Sequence, residues 1–160
     1  MEYPYQVVTF FNHIPEVGDF VYEGAKGWFP QLAIKRRFGL SDVTEAEMLD
    51  RVRQIAGRTE PFLVTFKKTL KPEPMPVEVI EVEQSSELSG LHQELFNTLR
   101  PSKFAGREGE NFYPHMTISW GGERVVDVRD FEDTRQTVRE LWVLKDDGED
   151  SRAMWRFELG

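Results

Sequence analysis

The chain has 160 residues, 39% hydrophobic and 12% aromatic, and a formal charge of −8; that supplies one sizeable core and, taken as a whole, repels nucleic acid. No stretch reaches the roughly 18 apolar residues of a membrane span, and the opening MEYPYQ lacks a basic region followed by a long apolar run, so neither a span nor a signal peptide is expected. The absence of cysteine excludes disulfides and thiolate metal sites and suits a cytoplasmic location.

YQVVTFF (residues 5–11) is β-branched and aromatic and predicts a strand, followed by a Gly-rich, acidic loop from Pro15 to Gly27. WFPQLAIKRRF predicts a second strand, with Gln31, Ala33 and Lys35 on one face and Leu32 and Ile34 on the other. SDVTEAEMLDRVRQIAGR predicts a helix, its apolar stripe running through Val43, Met48, Leu49, Val52 and Ile55. Ser41 or Asp42 can cap it, or Thr44 with Glu47, and Gly57 can end it. FLVTFKKTL and PVEVIEVE predict two strands, separated by KPEPMP, whose prolines forbid a regular element. SELSGLHQELFNTLRP predicts a second helix, capped by Ser85 or Ser86 and stopped before Pro101. The polar loop SKFAGREGEN then leads into YPHMTISW, a strand with His115, Thr117 and Ser119 on one face and Met116, Ile118 and Trp120 on the other. After a further loop, TVRELWVLKDD and AMWRFELG predict the last two strands.

The resulting order, ββαβ, βαβ, ββ, lacks the sustained βαβαβ alternation and glycine-rich phosphate loops of a doubly wound nucleotide fold, so the α+β class is expected. An internal repeat is visible. Each half contributes one helix and one strand entered through Phe/Tyr-Pro, FPQLAI and YPHMTI. Aligned on the proline, Gln31 matches His115 and Ala33 matches Thr117. Charge is unevenly spread: KRR at 35–37, Lys67 with Lys68, and Lys103 with Arg107 are basic, whereas EVIEVE and DDGED are acidic. A small phosphate-bearing ligand would meet local positive potential on this acidic chain.

His-x-Thr alone is a weak motif; the context of PHMTIS, of AIKRRFGLSD with its helix, and of the terminal WRFELG gives it weight. In that setting the chain resembles, over nearly its whole length, the two-histidine phosphoesterases, in the 2′-5′ RNA ligase-like branch that includes cyclic phosphodiesterases. The resemblance implies a single two-lobed domain over residues 1–160, pseudo-symmetric, with antiparallel-rich sheets facing a central cleft and helices outside. Each lobe of such a protein presents a His-x-Thr/Ser strand to the cleft. One imidazole takes a proton from water, the other protonates the leaving ribose oxygen, and the hydroxyls bind the phosphoryl group. The implied partner is a nucleotide or RNA end bearing phosphate, with a 2′,3′-cyclic phosphate or a 2′-5′ linkage. No cofactor, metal or membrane is implied.

His115 and Thr117 match the second motif and are the expected catalytic pair. Where the first should stand, the sequence has Gln31-Leu32-Ala33. Glutamine does not titrate near neutrality and alanine has no hydroxyl, so activity is expected to be weakened or lost. Gln31, Lys35, Arg37 and Ser119 are the candidate substrate contacts, with His13, just past the first strand, the candidate to compensate. Trp28 and Phe29 stand where they can stack a base or fill the core, and His92 is expected at the surface or boundary of the second helix. The three histidines fall in separate elements without metal-ligand spacing. The alternative is a non-catalytic module on the same fold, one that binds nucleotide or RNA or, through its acidic surface, a basic protein.

Overall fold

The computed structural model describes residues 2–23, 27–71, 76–120, 123–148 and 150–160, with the side chains of 22, 23, 27, 28, 120, 123 and 124 outside the description. The middle of the predicted KPEPMP break and the side chain of Trp28 therefore lie outside the described residues.

Two antiparallel sheets and two helices make up the α+β fold. In one sheet β1 (Tyr5–Phe10) lies between β4 (Gln31–Phe38) and β10 (Glu140–Asp146), with β11 (Ser151–Glu158) outermost beside β10. In the other, the order is β8 (Glu123–Arg124), β7 (His115–Trp120), β6 (Val77–Val82), β5 (Phe62–Leu70) and β9 (Arg135–Val138). A short hairpin of β2 (Tyr22–Glu23) and β3 (Gly27–Trp28) precedes β4, so the strand predicted from Trp28 begins only at Gln31. TVRELWVLKDD, read as one strand, is two. β9 closes the second sheet, and one residue later β10 enters the first. No glycine or proline marks the switch, so the residue types there do not reveal it.

Helices α1 (Glu45–Gly57) and α2 (Ser86–Thr98) start at Thr44 and Ser85. Thr44 Oγ1 accepts the Glu47 N–H at 3.1 Å, and Ser85 Oγ accepts the Leu88 N–H at 3.1 Å. Each cap satisfies one otherwise orphaned backbone donor. The helices touch each other, α1 packing on β11 and α2 on β4. Their buried faces, Met48, Val52 and Ile55 with Leu88, Leu91 and Leu95, join one cluster that runs beneath both sheets through Val7, Leu32, Ile34, Phe66, Ile80, Met116 and Ile118. A second, helix-free cluster of Val8, Phe10, Phe29, Trp142, Leu144 and Ala153 covers the opposite face of the first sheet. The sheets meet where β4 and β7 touch.

Candidate active site

The two strands aligned in sequence follow the same backbone course. Gln31 pairs with Phe10, Leu32 with Thr9 and Ala33 with Val8; His115 pairs with Glu81, Met116 with Ile80 and Thr117 with Val79. In both, the next residue of the neighbouring strand donates its N–H to the carbonyl of the entry proline: Phe11 to Pro30 at 2.9 Å, Val82 to Pro114 at 3.1 Å. Even the side chains are tethered alike. His115 Nδ1 lies 2.8 Å from the Tyr113 carbonyl, and Gln31 Nε2 donates to the Phe29 carbonyl at 3.3 Å, each two residues upstream. Gln31 thus keeps the anchoring hydrogen bond of an imidazole and lacks its second, titratable nitrogen.

A carbonyl only accepts, so Nδ1 of His115 carries the proton of that bond and Nε2 is left with the lone pair. Burial, opposed in part by the Tyr113 bond and reinforced by the positive charge of Arg36, holds the imidazole below its ordinary value. His115 is therefore a neutral acceptor at pH 7, suited to take a proton. Its ring stacks on the exposed Tyr113 at 5.1 Å. Thr117 stands beside it on the face opposite Met116 and Ile118, and both are half-buried. Across the junction, Ala33 packs against the apolar helix-free cluster and Gln31 is only 8% exposed.

Both strands bulge after the third motif residue, between Ala33 and Lys35 and between Thr117 and Ser119. A one-residue bulge moves everything beyond it to the other face, which corrects the placement of two predicted contacts. Lys35 does not share the face of Gln31; it turns inward, fully buried, and pairs with Glu108 at 2.9 Å. Ser119 does not continue the face of His115; it is 3% exposed and its Oγ accepts the Glu78 N–H at 3.2 Å. Arg37 is engaged as well, with Asp146 at 2.8 Å. The sequence shows KRR at 35–37 as one basic cluster, from which Lys35 and Arg37 are the expected contacts. Arg36 is half-buried, its guanidinium 4.3 Å from the Phe104 ring centroid, and its charge acts on His115. β4 is irregular a second time between Lys35 and Phe38, and neither irregularity leaves a mark in the residue pattern.

His13 is exposed at the end of β1 and stacks flat on Phe29 at 4.6 Å, two residues before Gln31. Phe29 belongs to the helix-free core. His92, expected at a surface or boundary, is 1% exposed. Its Nδ1 lies 2.6 Å from the Ile34 carbonyl, its Nε2 accepts the Gly109 N–H at 2.9 Å, and its ring stacks on Phe112. Those two bonds fix a neutral ring, and burial holds it below its ordinary value. His92 thereby stakes the loop of residues 102–111 to β4. Gly109, at φ +67°, permits the turn; a Cβ there would sit 3.2 Å from Phe96.

Two abutting antiparallel sheets each present a tethered motif residue on the face opposite the shared core. The sequence model of the 2′-5′ RNA ligase superfamily matches residues 28–150, and the chain belongs to that family. A putative phosphoesterase, OB1230 of Oceanobacillus iheyensis, is 32% identical over 91 residues, which are 56% of this chain and 51% of the relative, about half its length. The crystal structure of E. coli LigT complexed with 3′-AMP superposes with a TM-score of 0.63 at 16% identity, covering 99% of each chain. That of TT0787 of Thermus thermophilus gives 0.61 at 14% identity, covering 98% of this chain and 97% of the other. These likenesses establish the fold. No helix among the described residues is long and apolar enough to cross a membrane.

Proposed function

We propose that the face carrying His115 and Thr117 binds the phosphate of a nucleotide or RNA end with a 2′,3′-cyclic phosphate or 2′-5′ linkage, and turns it over slowly. The observation that carries this reading is the equivalence of Gln31 and His115, tethered alike and chemically unequal. Opening a cyclic phosphate needs a proton taken from water and a proton given to the leaving oxygen. Nε2 of His115 serves the first role and Thr117 bonds a phosphoryl oxygen. Gln31 can orient a group by hydrogen bonding and cannot relay a proton, so the leaving oxygen takes its proton from solvent, which makes turnover slow. That the E. coli structure holds 3′-AMP supports a nucleotide phosphate as the ligand.

Incubation with 2′,3′-cyclic AMP, with and without His115→Ala, tests the reading. Slow turnover abolished by the substitution is the expected result. Binding of 3′-AMP without any turnover would place the protein with the non-catalytic modules. Neither binding nor turnover would overturn the proposal and favour the interaction scaffold.

A further inference from the structure

The basic triplet that follows the first motif is divided by the fold. Lys35 is buried on Glu108, and Arg37 is paired with Asp146. Among the described residues, Arg36 alone of the three has no carboxylate within ion-pair distance. Glu108 acts on it through space but makes its bonds to Lys35. Lys35 lies over the Phe96 ring of α2 at 5.8 Å, whereas the charge of Arg36 acts on His115, where β4 meets β7. Phe104 holds the guanidinium in place by stacking at 4.3 Å, and Lys103 lies over the same ring at 5.4 Å. Arg107 is close enough to act on it, adding positive potential on a chain of net charge −8. The loop that carries Phe104 is fixed at both Glu108 and Gly109.

A half-buried guanidinium that is ring-stacked, without a carboxylate at ion-pair distance, and carried by the strand that touches the one bearing His115 is a prepared anion site. We propose that Arg36 is the residue that anchors the ligand's phosphate, contributing the charge that neither Gln31 nor Ala33 can contribute from the same strand. The inference rests on the functional reading above and specifies its chemistry. The ligand is a phosphate ester held by Arg36 from one sheet and by Thr117 and His115 from the other. Lys35 and Arg37 act only by holding β4 in shape.

Calorimetric titration of 3′-AMP, inorganic phosphate and adenosine into the wild-type protein, Arg36→Ala and Arg36→Lys tests this, alongside NMR titration of the His115 imidazole. Arg36→Ala is expected to weaken both phosphate-bearing ligands roughly ten- to hundredfold, with partial recovery in Arg36→Lys, which keeps the charge and loses the planar fork. Adenosine should not discriminate among the three proteins. The His115 pKa should rise in Arg36→Ala, a change that a merely structural role of the arginine would not produce. Wild-type binding of 3′-AMP that Arg36→Ala retains in full would overturn this inference alone. No binding of 3′-AMP by the wild-type protein would overturn the functional reading and this inference with it. Should Arg36→Ala not fold, Arg36→Lys carries the test: severalfold weaker binding is expected, and unchanged affinity is the contrary result.

Discussion

Strands β4 and β7 take the same path past an entry proline, tether the motif side chain to the carbonyl two residues upstream, and bulge after the third motif residue. One then offers an imidazole and a hydroxyl, the other an amide and a methyl. The main-chain ladder and the shared core beneath both sheets fix the path. Site chemistry is thereby separable from fold, and one half can be altered without disturbing the frame of the other.

The strongest way to break the comparison is to restore the missing chemistry. Gln31→His with Ala33→Thr is expected to raise turnover of 2′,3′-cyclic AMP by about 10²–10⁴-fold, the usual contribution of one positioned acid or base. The new threonine meets the apolar cluster around Ala33, so an unpaired hydroxyl there would cost about 1–3 kcal/mol, visible as a lower Tm. A variant that folds and shows no gain would mean that the two positions match in backbone only.

The residues turned inward by the two bulges, Lys35 and Ser119, solve the same problem at very different cost. Ser119 needs only a backbone N–H, whereas Lys35 needs a buried carboxylate from a distant loop. Glu108→Ala leaves a lysine with no partner in the interior and should destabilise by about 3–5 kcal/mol. Ser119→Ala should cost only about 1 kcal/mol. Replacing both charges, Lys35→Met with Glu108→Leu, should recover most of the larger loss, because desolvation already offsets much of the pair's attraction. Urea unfolding of the wild-type protein and these three variants checks the ranking; a double variant no better than Glu108→Ala would show that the pair does more than balance charge.

What could be read in advance follows the range of the interaction. Helix starts, narrowed to Ser41, Asp42 or Thr44 and to Ser85 or Ser86, the strand around His115, and the matching of Gln31 with His115 all depend on neighbours within a few residues, and the sequence shows them. The partner of Lys35 is 73 positions away. Nothing local announces a bulge, so alternation places Lys35 and Ser119 on the wrong face and does not set Arg36 apart from its two basic neighbours. His92 is misplaced for a related reason. Helical spacing shows apolar neighbours, but the carbonyl of Ile34 and the N–H of Gly109 that satisfy its two nitrogens arrive from other elements.

The two depressed histidines give a smaller effect with a definite sign. Burial holds both His92 and His115 below the unfolded value, near 6.5. The unfolded chain therefore binds protons that the folded chain does not. Their contribution to stability is complete above that value and is lost as pH falls through the folded values. Unfolding curves at about pH 7.5 and about pH 5.5 should show the loss. His92→Gln and His115→Gln should each flatten the dependence. Equal slopes in all three proteins would remove the histidines from the account.

The smallest test returns to what the halves have in common. Thr44 and Ser85 cap their helices with hydroxyl-to-N–H bonds of the same length, onto the third residue in each case. Threonine and serine differ only slightly as caps. Thr44→Ala and Ser85→Ala should therefore each cost about 1 kcal/mol, the typical loss of one N-cap. The sites are far apart in the chain and share no partner, so the double substitution should cost the sum. Such additivity would show that the two halves, unequal in chemistry, are equal in how their helices are held. A cost confined to Ser85→Ala would instead single out the half that carries His115 as the one on which the fold depends, because α2 also supplies His92 and packs beneath β4.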